Sequence, residues 1–182
     1  RQFKHTQTLR IGVGDLLAER RLDQVAAQIS YLASTIVDCA YRWLRSRFVA
    51  KWGRPIGSDG RDCQYCVLAL GKLGGFELNY SSDVDLIFVF DEAGIVTSTD
   101  SHQGRSLPKL THQEFFSRLS QQLVKLVGEP TQRGVCYRVD LRLRPNGASG
   151  KICRSYDSMI QYYDLQGRTW ERQALIKCRP IA

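Results

Sequence analysis

The sequence predicts an α/β (α+β) fold in which helices pack on a small, mixed, twisted sheet beside a long N-terminal helix. Three patterns support this prediction: a long stretch with apolar residues at helical spacing, two short apolar runs typical of buried strands, and a later amphipathic stretch that begins with a capping box. The chain has 182 residues. That length favours one domain with a substantial hydrophobic core.

The first element is a long helix that we predict over residues 15–52, with Asp15 as its N-cap. Its apolar residues recur at spacings of three or four: Val25, Ile29, Leu32, Ile36, Ala40, Leu44 and Phe48. Basic residues fill its last turns, as the helix dipole favours. At 1.5 Å per residue such a helix is a rod of roughly 45 Å. Packing with a solvated basic face is the expected role, and a partner-binding arm is the alternative.

Residues 64–154 are predicted to hold the sheet and one helix. Strands are expected at 65–70, 84–90 and 135–143, with a glycine-rich loop at 71–75 and a mobile loop at 91–111. The 84–90 run is apolar throughout, so it should lie centrally in the sheet. Thr111 and Glu114 form a capping box. They begin a helix that ends at Gly128 and Pro130, with Phe115, Leu119, Leu123 and Leu126 on its apolar face.

Two further helices are predicted at 155–166 and 169–178, separated by Gly167. We treat residues 1–182 as one domain whose C-terminal helices, within 155–182, are cut short at the chain end. Position 1 is not Met, so a fragment or a processed product is expected. Helix-like spacing around Tyr162, Tyr163 and Trp170 favours core packing over stacking on a base.

Charge and composition limit the classes of partner. Lys and Arg number 26 against 18 Asp and Glu, a formal charge of +8, which favours nucleotides, nucleic acid or an acidic protein surface as partners. No apolar run reaches the length of a membrane span, and no secretory signal is visible at the start. The six cysteines are too sparse for a disulfide scaffold, so reduced thiols in a cytoplasmic protein are expected.

Two acids at the start of the 84–90 strand are the sharpest chemical feature. Asp83 and Asp85 are two residues apart, so their side chains share one face of the strand. Carboxylates this close repel each other unless a cation lies between them. Mg²⁺ prefers carboxylate and phosphate oxygens and is the natural occupant. The alternative is a pair of solvated acids at a strand start.

Two flanking segments favour the metal interpretation. Upstream, Lys72 lies in a loop whose Gly74 and Gly75 would let backbone amides approach a phosphate. Downstream, the alternation over 138–144 places Arg138, Asp140, Arg142 and Arg144 on one face. An acid flanked by arginines suits a third metal ligand beside cations that bind phosphates. Either segment alone could be an ordinary turn or an exposed sheet face; together they suggest two-metal nucleotidyl transfer.

These motifs resemble the DNA polymerase beta-like nucleotidyltransferase superfamily, whose fold the chain is then expected to have. Three longer strings, at residues 70–88, 138–150 and 162–177, are similar to the bifunctional glutamine synthetase adenylyltransferase/adenylyl-removing enzyme family. The similarity extends over roughly residues 15–182. The segments at 79–82 and 166–172 are more similar to the N-terminal, adenylyl-removing half of that family. Known members are far longer, with two catalytic halves.

The resemblance implies an activity and a set of roles. One half of such an enzyme transfers AMP from ATP to a tyrosine of glutamine synthetase, and the other removes it with phosphate to give ADP. Asp83, Asp85 and Asp140 would be the catalytic acids and would hold two Mg²⁺ ions. Phosphate groups would be bound by Lys72, Gly74, Gly75, Ser82, Arg142 and Arg144. Glutamine synthetase would be the protein substrate, with the PII signalling protein a further partner of the full-length enzyme.

Two other functions remain open at this point. An RNA nucleotidyltransferase of the same superfamily would suit the positive charge, although no aromatic-rich basic platform for RNA is visible. A regulatory domain that binds nucleotide without turnover is the other, and the presence of all three acids disfavours it. Cys63 and Cys66 have the spacing of half a zinc site without a second half. His5, His102 and His112 are scattered, and no catalytic role is expected for them.

Overall fold

The computed structural model describes residues 1–18, 20–97 and 110–182. Its helices are α1 (Gln2–Leu17), α2 (Leu22–Trp52), α3 (Gly71–Gly74), α4 (His112–Gly128), α5 (Tyr156–Leu165) and α6 (Thr169–Ala174). Its strands are β1 (Arg54–Pro55), β2 (Tyr65–Ala69), β3 (Val84–Phe90), β4 (Val96–Thr97), β5 (Val139–Asp140), β6 (Cys153–Ser155) and β7 (Arg179–Pro180). Short 3₁₀ turns occur at Gly147–Ser149 and Leu175–Lys177. Within these described ranges no helix is long and apolar enough to cross a membrane.

The central sheet is mixed, as predicted. β2 pairs antiparallel with both β3 and β7, whereas β3 pairs in parallel with β5 and with β6. One edge of β3 is occupied by β2. Strands β5 and β6 therefore follow one another along the other edge of β3. The apolar run that predicted a central strand therefore corresponds to β3, with the predicted bounds.

Side chains of β3 alternate between two hydrophobic clusters. Leu86 and Phe88 belong to the larger one, which α2 and α4 cover. Ile87 and Val89 face the other side, where Met159 of α5 and Leu175 pack on them. Asp85 is two and four residues before Ile87 and Val89, so its side chain is on the same face of β3 as theirs. It therefore lies on the α5 side of the sheet, beyond the end of that cluster.

The predicted single helix over 15–52 is wrong at its N-terminal end. Two helices occupy this region, and Arg21, in an extended conformation, precedes the first residue of α2. Asp15 lies in the last turn of α1 and caps nothing; its carboxylate accepts a hydrogen bond from the Tyr80 hydroxyl at 3.0 Å. The 31 residues of α2 keep the predicted apolar face, with Val25, Ile29 and Leu44 buried.

The capping box of α4 is confirmed in both directions: the Thr111 hydroxyl accepts from the Glu114 amide, and Glu114 accepts from the Thr111 amide. Phe115, Leu119 and Leu123 are buried as expected. Leu126 is 37% exposed, and Val127 takes its place in the core. One position of the predicted face is therefore wrong, because the helix turns Leu126 outward in its last turn.

Four shorter predictions differ from the structure or lie partly outside its described residues. Residues 71–74 form one helical turn, α3, instead of a loop. The predicted strand over 135–143 is only β5, and it ends where the Asp140 carboxylate accepts a hydrogen bond from the Arg142 amide at 2.8 Å. Most of the predicted loop at 91–111 lies outside the described residues, although β4 occupies part of it. The helix predicted over 169–178 ends as α6 followed by a 3₁₀ turn.

Candidate active site

The three predicted acids lie on two adjacent parallel strands. In the β3–β5 register Asp85 is directly opposite Asp140, and Val84 is opposite Val139. Side chains paired in this way lie on the same face of the sheet, about 4.8 Å apart at the backbone. Asp83 precedes β3 by one residue, and the Val84 amide donates to the Arg138 carbonyl at 2.9 Å. The fold therefore gathers the three acids at one end of the central strand.

The two paired acids have opposite electrostatic environments. Burial, followed by the negative charges of Asp140 and Asp83, raises the pKa of Asp85. Hydrogen bonds from Arg142 lower the pKa of Asp140. Among the described residues, none donates a hydrogen bond or forms an ion pair to the Asp85 carboxylate. Asp85 is thus a half-buried acid with two acidic neighbours and no cationic side chain bound to it.

Two arginines compensate the other two acids in different ways. Arg142 donates from its Nε to Asp140 Oδ2 at 2.8 Å and to Oδ1 at 3.1 Å, so both carboxylate oxygens are engaged. Arg138 donates to Oδ1 of Asp83 and also to the Ser81 carbonyl at 3.0 Å, leaving Asp83 Oδ2 without a bond from it. The sequence pattern placed both arginines near the acids; the pairing of Arg138 with Asp83 was missed, because contacts across 55 residues leave no periodic signal.

Gly71 allows the close approach of Asp85 to α3. Its φ is +54°, in the left-handed region, and a Cβ at this position would lie 2.6 Å from Asp85 Oδ2. A side chain here would be strained by its backbone and would also displace the carboxylate. The glycine-rich segment therefore contributes space beside an acid.

The predicted phosphate-binding residues are only partly free to bind. Lys72 is exposed on α3, and its charge acts on Asp85. The Gly74 and Gly75 amides donate to the carbonyls of Leu70 and Gly71 inside the α3 turn, so they are not directed at a ligand. The remaining two are engaged elsewhere: the Ser82 hydroxyl donates to Asn79 at 2.7 Å, and the Arg144 guanidinium donates to the carbonyls of Leu141, Ala148 and Gly150. Lys72 and Arg142 remain as accessible cations.

The acids suit Mg²⁺ in type, because carboxylate oxygens are its preferred protein ligands. Asp85 supports the assignment of a Mg²⁺ site. Burial and the nearby acids disfavour its negative charge, and its carboxylate oxygens accept no hydrogen bond from the described residues. In the part of the chain that the structure describes, no three His, Cys, Asp or Glu side chains are already clustered to hold a metal. Arg142 donates to both oxygens of Asp140, so a cation shared by the acids would compete with Arg142 for this carboxylate.

Other chemically interesting residues lie outside this cluster. All six cysteines lie in the described ranges and are unpaired there. His112 is buried, with its Nδ1 2.9 Å from the Glu92 carbonyl, and His5 lies 3.3 Å from the Arg133 carbonyl. His102 lies outside the described residues. Trp170 is 49% exposed, so the prediction of core packing is wrong for it, whereas Tyr162 and Tyr163 are buried.

A mixed sheet with packed helices, and an acid pair at the start of its central strand, define an α+β protein of the nucleotidyltransferase-like class. The family model described as glutamate-ammonia ligase adenylyltransferase matches residues 1–182, and the chain belongs to that family. A bifunctional glutamine synthetase adenylyltransferase/adenylyl-removing enzyme from Xanthomonas campestris pv. campestris (strain B100) is 40% identical over 182 residues. That alignment covers 100% of this chain and 19% of the relative, so the chain spans about a fifth of the relative's length.

Proposed function

We propose that this chain carries a nucleotidyl-transfer site that removes AMP from an adenylylated tyrosine of glutamine synthetase by phosphorolysis, giving ADP. The observation that carries the proposal is the register of Asp85 with Asp140 beside Asp83, with Asp85 free of any bound cationic side chain among the described residues. The printed name of the relative, which includes both adenylyltransferase and adenylyl-removing activities, supports the substrate. Addition of AMP from ATP, with release of pyrophosphate, is the alternative reaction at the same kind of site.

Asp83, Asp85 and Asp140 would hold Mg²⁺, two ions in the proposal. Bound there, Mg²⁺ would neutralise phosphate charge and polarise the phosphorus that is attacked. The chain's own cations, Lys72 and Arg142, would bind and orient the incoming phosphate. Arg142 is well placed for this, because its side chain is 81% exposed and reaches solvent beside Asp140. Arg144, Ser82 and the Gly74 and Gly75 amides are left out of this set, because Arg144 and the amides donate to backbone carbonyls and Ser82 donates to Asn79. Arg142 also donates within the fold, but its partner is the acid that a cation would bind.

The bond changes follow from the substrates. An oxygen of inorganic phosphate forms a bond to the phosphorus of the AMP group, and the bond from that phosphorus to the tyrosine oxygen breaks. The tyrosine oxygen then takes up a proton, and ADP is released. In the direction of AMP addition, Asp140 would accept the tyrosine proton. The choice of the removing direction rests on the segments at 79–82 and 166–172, which are more similar to the adenylyl-removing half of the family.

The remaining features of the proposal concern the cellular setting. The enzyme would act in the cytoplasm, where its thiols stay reduced. The PII signalling protein would be a further partner of the full-length enzyme. The high positive charge of the chain would favour an acidic protein surface as the substrate face.

The test incubates the chain with adenylylated glutamine synthetase, phosphate and Mg²⁺ and measures ADP, with ATP and unmodified synthetase in a parallel reaction. Asp83→Asn should lower ADP formation by about 100-fold or more, because it removes one of the three carboxylates that would hold Mg²⁺ beside the reacting phosphate. Asp59→Asn is the matched control, since Asp59 is exposed in a turn and pairs only with Arg61 in the described structure. Equal rates for Asp83→Asn and the control would refute the assignment.

A further inference from the structure

A second candidate site lies about one strand length from the acids. A cavity of about 260 Å³ is lined by Asn146, Arg154, Ser158, Gln161, Tyr162 and Gln166, with Leu165 at its edge. Most of these side chains can donate hydrogen bonds, and one carries a permanent positive charge. Nothing in the chemistry proposed above uses any of them.

Arg154 is the unusual member of this group. Its side chain is half-buried, and within the described ranges it forms no ion pair with a carboxylate. Its Nη2 donates to Asn146 Oδ1 and its Nη1 to the Ser158 hydroxyl at 3.2 Å, and both acceptors are neutral. The guanidinium lies over the Tyr162 ring at 5.4 Å, and its Nε is buried without a partner in the described structure. A partly desolvated cation with only neutral partners favours binding an anion.

The buried carboxylate that binds Tyr162 is already engaged. The buried Glu171 carboxylate accepts from the Tyr162 hydroxyl at 2.7 Å and from the Arg168 amide at 2.8 Å, so both its oxygens are satisfied. Tyr162 therefore separates this carboxylate from Arg154. The charge of Arg154 remains available to a group that enters the cavity.

The surrounding polar groups are arranged to donate. Asn146 uses its Oδ1 for Arg154, so its amide nitrogen is left as a donor. The Ser158 hydroxyl accepts from Arg154 and can donate its own hydrogen to a ligand. The side chains of Gln161 and Gln166 line the same cavity, and no hydrogen bond engages them among the described residues. Donors that converge around a guanidinium match the oxygens of a phosphoryl group.

The sheet register relates this cavity to the acids. Arg154 is opposite Val89 in the parallel β3–β6 pair, and Asp140 is opposite Asp85 on the same edge of β3. Val89 and Asp85 have the same parity, so Arg154 and the acids lie on one face of the sheet. The four residues between them correspond to about 13 Å along the strand. A phosphate in the cavity would therefore lie beside the proposed reaction site without overlapping it.

We propose that the cavity around Arg154 binds a phosphoryl group. Its source is either inorganic phosphate, held as a second anion, or the phosphate of a nucleotide. The proposal is independent of the proposed nucleotidyl transfer, because it rests only on Arg154 and the donors around it.

The test titrates the full chain with inorganic phosphate and, separately, with AMP and adenosine, by calorimetry at constant ionic strength and with a chelator present. Arg154→Met replaces the aliphatic part of the side chain with another unbranched one but removes the guanidinium and its charge, and should weaken phosphate and AMP binding by tenfold or more. Arg133→Met is the matched control, because Arg133 is exposed and donates to the distant Gln2 side chain. Tighter binding of AMP than of phosphate would indicate a nucleotide source, and equal binding would indicate inorganic phosphate.

A second variant covers the case in which Arg154→Met fails to fold. Gln161→Glu places a carboxylate in the cavity, where it pairs with Arg154 and repels an anion, without removing any hydrogen bond seen among the described residues. Phosphate binding should again fall tenfold or more, while the melting temperature is retained. Unchanged phosphate affinity in a folded variant, or adenosine binding as tightly as AMP, would overturn the proposal. So would the lack of saturable phosphate binding by the unmodified chain.

Discussion

Replacement of Gly71 by alanine is expected to have two effects: backbone strain, which lowers stability, and displacement of Asp85, which lowers activity. The new Cβ would meet Asp85 Oδ2 at 2.6 Å, and a carboxylate end can rotate away to relieve this contact. The left-handed backbone, with φ of +54°, adds a strain of about 1–2 kcal/mol for a residue other than glycine. Stability should therefore fall by roughly that amount, while Asp85 is moved. A displacement of about 1 Å in a reacting group can lower a rate by about 100-fold.

Gly60→Ala is the matched control, because Gly60 has a φ of +79° and no atom lies within 4 Å of its added Cβ. Urea unfolding should show a similar loss of stability for the two variants. ADP formation from adenylylated glutamine synthetase should fall by about 100-fold in Gly71→Ala alone, and Mn²⁺ binding should weaken in that variant. If both variants keep the same activity and Mn²⁺ affinity, the close contact between Gly71 and Asp85 does not position the acid.

Two further predictions concern charge and the core. The pKa of Asp85 in the folded chain is above its ordinary value, so ionisation of Asp85 lowers stability as pH rises. Asp85→Asn should therefore have a higher melting temperature than the unmodified chain at pH 7 without divalent cations. This gain should disappear on acidification toward pH 3.8. Ser120→Ala should cost about 1–3 kcal/mol in urea unfolding, because the buried Tyr65 hydroxyl loses its 2.8 Å partner. The double variant with Tyr65→Phe should cost less than the sum of the two; additive costs would contradict the coupling.

Local signals in the sequence predicted the elements that local forces determine. The apolar run at 84–90 and the capping box at Thr111 each depend on neighbouring residues, and both match the structure. The boundary between α1 and α2 could not be predicted, because residues 18–21 contain no proline or glycine to interrupt the helical pattern. Asp15 has the chemistry of an N-cap, yet a tertiary contact with Tyr80 engages it instead.

The acids were easier to find than their partners. Asp83 and Asp85 are adjacent in sequence to a strand that is itself recognisable, so their shared face follows from strand geometry alone. The register that brings Asp140 beside Asp85 pairs residues 55 positions apart, which spacing within one segment cannot encode. Strands β6 and β7, of three and two residues, were missed for the same reason: their pairing with β3 and β2 depends on distant parts of the chain.

The unequal arginine pairs explain how one cluster could bind both a cation and a phosphate. Arg142 donates to both oxygens of Asp140, so a cation that binds this acid competes with Arg142 and favours its release. The released guanidinium would then carry an unpaired positive charge next to the cation, where a phosphate gains from both. Arg138 engages one oxygen of Asp83 and the Ser81 carbonyl, and can keep Asp83 in place while the other oxygen binds. In the proposed function, cation and phosphate binding are therefore coupled through Arg142, whereas Arg138 positions an acid in both states.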